Sequence, residues 1–141
     1  MKDLRTVNGP GGAVLVIKHG KVLYSETFGK ADVEAGRDNT LATNFRLASV
    51  TKQFTAMAVM MLAERGKLSL KQAVSEFFPG FASVGTTITV RHLLTHTSGL
   101  VAYEDVMPDS TNFPLLDQDV LRLIKDIDST QFAPGTRFEY S

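Results

Sequence analysis

The stretch "RLASVTKQFTAMAVMMLAERG", residues 46–66, decides how the chain is read. It sets Ser49 and Lys52 three positions apart, and from Phe54 to Ala63 almost every residue is apolar. Such a run has no polar stripe, so it predicts a helix, about 49–66, that is buried on most of its sides. Gly66 supplies a C-terminal stop, with Arg65 and Lys67 suited to the negative end of the helix dipole. Positions i and i+3 share a helix face, about 5 to 6 Å apart at Cβ, so the Lys52 amine can fold back onto the Ser49 hydroxyl. A serine hydroxyl is a poor nucleophile at neutral pH and needs a base within hydrogen-bond reach. The apolar run behind Lys52 predicts desolvation, which disfavours an ammonium and brings a lysine below its usual value of about 10.4. The helix start adds free N–H groups and positive potential at Ser49, suited to a developing oxyanion.

The spacing alone is weak evidence. Nine serines and eight lysines in 141 residues give about one coincidental Ser-x-x-Lys match in two such chains. The same residues also fit a purely structural role, in which Ser49 caps a buried helix and Lys52 snorkels from its first turn.

The rest of the chain limits what the stretch can serve. A 141-residue chain with 43% hydrophobic and 21% charged residues suits one ordinary domain. Fifteen basic and fifteen acidic residues cancel, which leaves no electrostatic footprint for nucleic acid or an anionic membrane. The absence of cysteine excludes disulfides, thiolate catalysis and cysteine-bound metal without fixing the compartment. Met1 to Thr6 has no apolar stretch of signal-peptide length, and no later run reaches membrane-spanning length. A cytosolic protein and the mature form of an exported one both fit. His19 and His92 have no spaced partner, so neither a metal nor any other cofactor is expected.

Upstream, Ala13–Ile17 and Lys21–Phe28 are strand-like and flank the turn Lys18-His19-Gly20, a hairpin over about 12–29. The first segment is apolar throughout, as in a strand covered on both faces. Asp32 to Asn44 is polar, contains Gly36 and reads as a loop. Downstream, about 70–128, short helices are expected over Gln72–Phe78 and Thr89–Thr95. "LDQDVLRLIKDI", 116–127, puts Leu116, Val120, Ile124 and Ile127 on one face of a surface helix. "APGTRFEYS", 133–141, is a Pro-Gly turn leading into an extended end.

Three segments in this order, "FRLASVTKQFTA" (45–56), "VRHLLTHTSGL" (90–100) and "FAPGTRFEYS" (132–141), together resemble the serine beta-lactamase and penicillin-binding-protein superfamily. The likeness is to its class C beta-lactamase-like branch, which also holds esterases, D-aminopeptidases and D-Ala-D-Ala carboxypeptidases, and it runs from about residue 11 to the last residue. It implies an α+β, beta-lactamase/transpeptidase-like fold: an N-terminal β-hairpin of an antiparallel sheet plus a helical region, ending before the C-terminal sheet strands. Residues 1–141 would then be a single partial domain.

The resemblance makes Ser49 the acylated nucleophile and Lys52 the general base. Tyr140 becomes the tyrosine of a Tyr-x-Asn motif, of which Tyr140-Ser141 supplies the first two positions. Without that context, Tyr140 reads as a half-buried aromatic on a strand-like end. The third motif of the family, Lys-Thr-Gly or His-x-Gly, has only lookalikes. Lys18-His19-Gly20 precedes the nucleophile, and His96-Thr97-Ser98-Gly99 belongs to a loop, where His96 is read as architecture holding the site wall. The implied chemistry is acyl transfer from an ester, beta-lactam or D-amino-acid peptide, a small-molecule or peptide substrate. The other class is a non-catalytic fragment or pseudoenzyme serving as a binding or assembly module. A lone hairpin is marginal, so its open edge and apolar faces lead us to expect a complementing C-terminal chain or a homo-oligomer. The loop 99–114 reads either as an edge of the cleft or as a plain connection.

Overall fold

His19 and Gly20 both have positive φ, 50° and 73°, the signature of a two-residue type I′ turn whose twist matches that of paired strands. In the computed structural model, which describes residues 8–109, 111 and 115–141, this turn joins β1 (Gly12–Lys18) to β2 (Lys21–Phe28). The register runs antiparallel from Gly12 opposite Phe28 to Lys18 opposite Lys21, with an irregularity between Val16 and Ile17. The chain forms two compact units, Met1–Ala48 and Ser49–Ser141. The opening Met1 to Thr6, together with 110 and 112–114 of the 99–114 loop, lies outside the described residues.

Two expectations for the first unit need correction. Its first strand is not covered on both faces: Leu15 and Ile17 are more than half exposed. A fully apolar strand needs a layer on each side, and among the described residues of this unit β1 pairs only with β2, as a separate two-stranded ribbon. The polar stretch 32–44 is also more than a loop. Its β4 (Arg37–Asp38) pairs with β3 (Lys30–Asp32). Two ion pairs flank this second ribbon: Lys30 bridges Asp38 at 2.6 Å and Arg37 bridges Asp32 at 2.8 Å. The Ala35 amide donates to Asp32 Oδ1 at 2.9 Å, closing the turn.

The second unit begins with a 3₁₀ turn over Ala48–Val50 that runs into α1 (Thr51–Glu64). The amide of Gly66 donates to the Ala63 carbonyl at 3.0 Å and that of Lys67 to Leu62 at 2.9 Å. With Gly66 at φ 66°, this is the Schellman ending that the glycine foretells. The expected burial of α1 is absent. None of its residues is buried, and Phe54 and Met57 are 62% and 61% exposed. No described element of this unit packs along the helix, whose apolar residues run all round and therefore demand cover on every side.

The core of the second unit sits elsewhere. Val74, Ile88 and Leu100 are buried, with Phe81 and Val84 packed against them. Short helices frame it: α2 (Val74–Phe77), α3 (Val90–Leu94), α4 (Tyr103–Val106) and α5 (Asp117–Ile124). α4 places helix inside the stretch read as an uninterrupted loop. Main-chain bonds from Val74 to Ile88 (2.8 Å), Val90 to Gln72 (3.1 Å) and Arg91 to Leu70 (2.9 Å) tie the two sides of the core together. Thr89 caps α3 by accepting from the His92 amide at 3.3 Å, while His92 Nδ1 accepts from the Thr89 amide at 3.3 Å. His92 is thereby a helix-start residue. Among the described residues no helix is long and apolar enough to cross a membrane, and no group of acidic and histidine side chains is placed to hold a metal ion.

Candidate active site

Ser49 occupies the 3₁₀ turn at the head of α1, and the residue before it, Ala48, has φ 47°. Positive φ is uncommon for any residue with a Cβ. One turn on, Lys52 Nζ donates to Ser49 Oγ at 3.5 Å, a long contact at the edge of hydrogen-bond range. Both side chains are exposed, so the desolvation expected of the apolar run is not supplied by the described residues. The i, i+3 geometry itself is present as the spacing predicts.

Tyr140 reaches this pair from the far end of the unit. Its ring lies under Lys52 Nζ, 5.3 Å from centroid to nitrogen. Hydrogen bonding to Ser49, then to Lys52, holds the phenol below its ordinary value of 10.0, and the Lys52 charge adds to this. The Glu104 carboxylate, on α4, opposes it. Donors that favour the phenolate explain the direction. Ser49, Lys52 and Tyr140 are therefore one cluster.

The delivery of Tyr140 is legible in the backbone. Ala133-Pro134-Gly135-Thr136 forms a turn closed by the Thr136 amide on the Ala133 carbonyl at 3.1 Å, with Gly135 at φ 84°, a type II turn with proline and glycine where that type wants them. The chain around it is stitched to the 96–99 loop. Gln131 donates to Gly99 at 2.8 Å, Gly135 to Thr97 at 2.8 Å and Glu139 to His96 at 2.9 Å. Gly99 permits the approach: its φ is 73°, and a Cβ there would stand 2.3 Å from the Phe132 carbonyl oxygen. Ser98 is buried, and its Oγ accepts from the Leu100 amide at 3.2 Å. The histidine loop is thus a scaffold for the tyrosine segment. Sequence reasoning missed two participants here, Ala48 and Glu104. The left-handed Ala48 has no sequence signal, since alanine seldom adopts that conformation, and the position of Glu104 depends on α4.

The profile of the family described as Beta-lactamase matches residues 2–141. The chain belongs to the Beta-lactamase family. Among its relatives, esterase EstB of Burkholderia gladioli is 38% identical over an alignment that covers 93% of this chain and 37% of that protein. The octameric penicillin-binding protein homologue from Pyrococcus abyssi superposes with a TM-score of 0.76 at 33% identity, over 93% of this chain and 32% of that one. A class C beta-lactamase in complex with cefoxitin gives a TM-score of 0.73 at 30% identity, over 94% of this chain and 35% of that chain. The fold is accordingly the beta-lactamase/transpeptidase-like α+β one, and members of this Beta-lactamase family are serine hydrolases. The chain spans between 28% and 37% of the length of the curated relatives it matches.

Proposed function

We propose that the protein is a serine acyl hydrolase working through an acyl-enzyme, with residues 1–141 forming one partial domain of the beta-lactamase-like fold. The observation that carries this is the cluster in which the Lys52 amine stands 3.5 Å from the Ser49 hydroxyl and the Tyr140 phenol is drawn toward its charged form by both. In the forward step Ser49 Oγ attacks the acyl carbonyl and its proton passes to the Lys52–Tyr140 pair, which titrates as a unit. The carbonyl oxygen, now an oxyanion, is met by main-chain N–H groups at the head of α1. The pair then returns the proton to the leaving alcohol or amine as its bond to the acyl carbon breaks. Water attacks the Ser49 ester by the reverse relay, releasing the acid and restoring the hydroxyl. The substrate is an ester, beta-lactam or D-amino-acid peptide. The named activity of esterase EstB supports the ester arm.

Incubation with p-nitrophenyl acetate or a fluorescent penicillin, followed by mass spectrometry of the intact protein and its peptides, tests the proposal. A covalent adduct on Ser49, absent from Ser49→Ala, is expected. Folded protein without an adduct overturns it. One observation favours a second reading, a binding or assembly module that does no chemistry: the uncovered apolar surface of α1, with Phe54 and Met57 at 62% and 61% exposure. A complementing C-terminal chain, or further copies of the protein as in the octameric homologue, would cover it. Light scattering in the same experiment distinguishes a monomer from such an assembly.

A further inference from the structure

Phe138 and Tyr140 stand two positions apart in the segment that follows the Pro134-Gly135 turn. Both meet one ring. His96 lies 4.5 Å from Tyr140, with the rings tilted by 32°, and its edge meets Phe138 at 6.0 Å and 79°. The His96 backbone is itself held. It has φ 52°, a conformation in which histidine is one of the few tolerated residues with a Cβ, and its carbonyl accepts from the Glu139 amide at 2.9 Å. The main chain is thus pinned at Glu139, between the two aromatic residues. Tyr140 is 54% exposed, so no enclosing pocket dictates where its ring turns.

We propose that His96 is a positioning residue for the acyl-transfer site: its ring is the shelf that keeps the Tyr140 phenol against Ser49 and Lys52. This deepens the hydrolase proposal and rests on it. His96 takes no proton in the scheme. It acts through Tyr140, by removing rotamers that would swing the phenol into solvent. A stack of this kind is an offset aromatic contact, which any flat ring can supply and an aliphatic or amide side chain cannot.

Two variants separate ring from backbone. His96→Phe keeps a ring, whereas His96→Asn tolerates the left-handed conformation and removes the ring. Two readouts are taken on the full chain: the rate of Ser49 acylation by p-nitrophenyl acetate, and the titration of the Tyr140 ring followed by NMR. His96→Asn should slow acylation by up to about tenfold, the rate equivalent of one aromatic stack, with KM little changed, and should return the phenol toward its ordinary titration range. His96→Phe should keep both the rate and the low titration. Should His96→Asn not fold, His96→Gly, which also removes the ring and is unstrained at positive φ, replaces it with the same expected outcome. Unchanged rate and unchanged Tyr140 titration in the ringless variant overturn the proposal. If the unaltered chain forms no acyl adduct, the hydrolase proposal fails on that result, and the Tyr140 titration alone still decides whether His96 positions the phenol.

Discussion

Tyr140→Phe removes one oxygen and leaves the ring. Because Tyr140 is 54% exposed and a phenylalanine ring can stack on His96 as the native one does at 4.5 Å, folding should change by no more than about 0.5 kcal/mol, as for other surface replacements. The chemical loss is larger. A positioned acid–base group contributes about 10²–10⁴-fold, equivalent to about 3–5 kcal/mol of transition-state stabilisation at about 1.36 kcal/mol per factor of ten. The pH profile carries a second mark. With the phenol lowered from 10.0 by Ser49 and Lys52, the phenolate becomes available at lower pH than for a free tyrosine, so acylation should rise with pH along a limb whose midpoint lies below 10.0. That ascending limb should vanish in Tyr140→Phe. Single-turnover acylation with p-nitrophenyl acetate across pH, beside a urea unfolding curve for each protein, supplies both tests. A variant within about threefold of the original rate, with the limb intact, would fall far short of the range expected of an acid–base group and would refute a proton-transfer role for Tyr140.

Two further outcomes concern the scaffold. The Asp32 carboxyl is lowered from 3.8, first by the Ala35 amide and next by Arg37. Its stabilising effect should be fully present above that ordinary value and disappear as pH falls through the lower folded one; NMR titration of the β3–β4 turn should show this, and Asp32→Asn should abolish it. Gly99→Ala combines a φ of 73° with a Cβ 2.3 Å from the Phe132 oxygen. It should cost about 1–3 kcal/mol or more by chemical denaturation and detach the tyrosine segment, lowering Ser49 acylation as well.

How much of this was legible in the sequence depends on the range of the interaction. The His19-Gly20 turn, the Gly66 helix stop and the Pro134-Gly135 turn could be read because each is fixed by the conformational freedom of one or two residues. The Ser49–Lys52 approach was legible for the same reason, being one helical turn. The inclusion of Tyr140 required the family resemblance, since no local rule brings a residue from the other end of the unit. The burial of α1 and of β1 was misjudged because an apolar pattern reports what a surface needs. It does not report whether the described chain supplies the cover. The β3–β4 ribbon was missed because polar, charged strands carry little apolar alternation, and its main-chain pairing is flanked by exposed ion pairs rather than by apolar contacts.

The stitching of residues 131–139 onto the 96–99 loop also sets an order of events during synthesis and folding. α1, with its serine and lysine, needs only neighbours in sequence, whereas the phenol arrives after a long loop has closed, the slower kind of step. A nascent chain would therefore carry the Ser49–Lys52 pair before residues 131–139 had docked and brought the Tyr140 ring beneath Lys52.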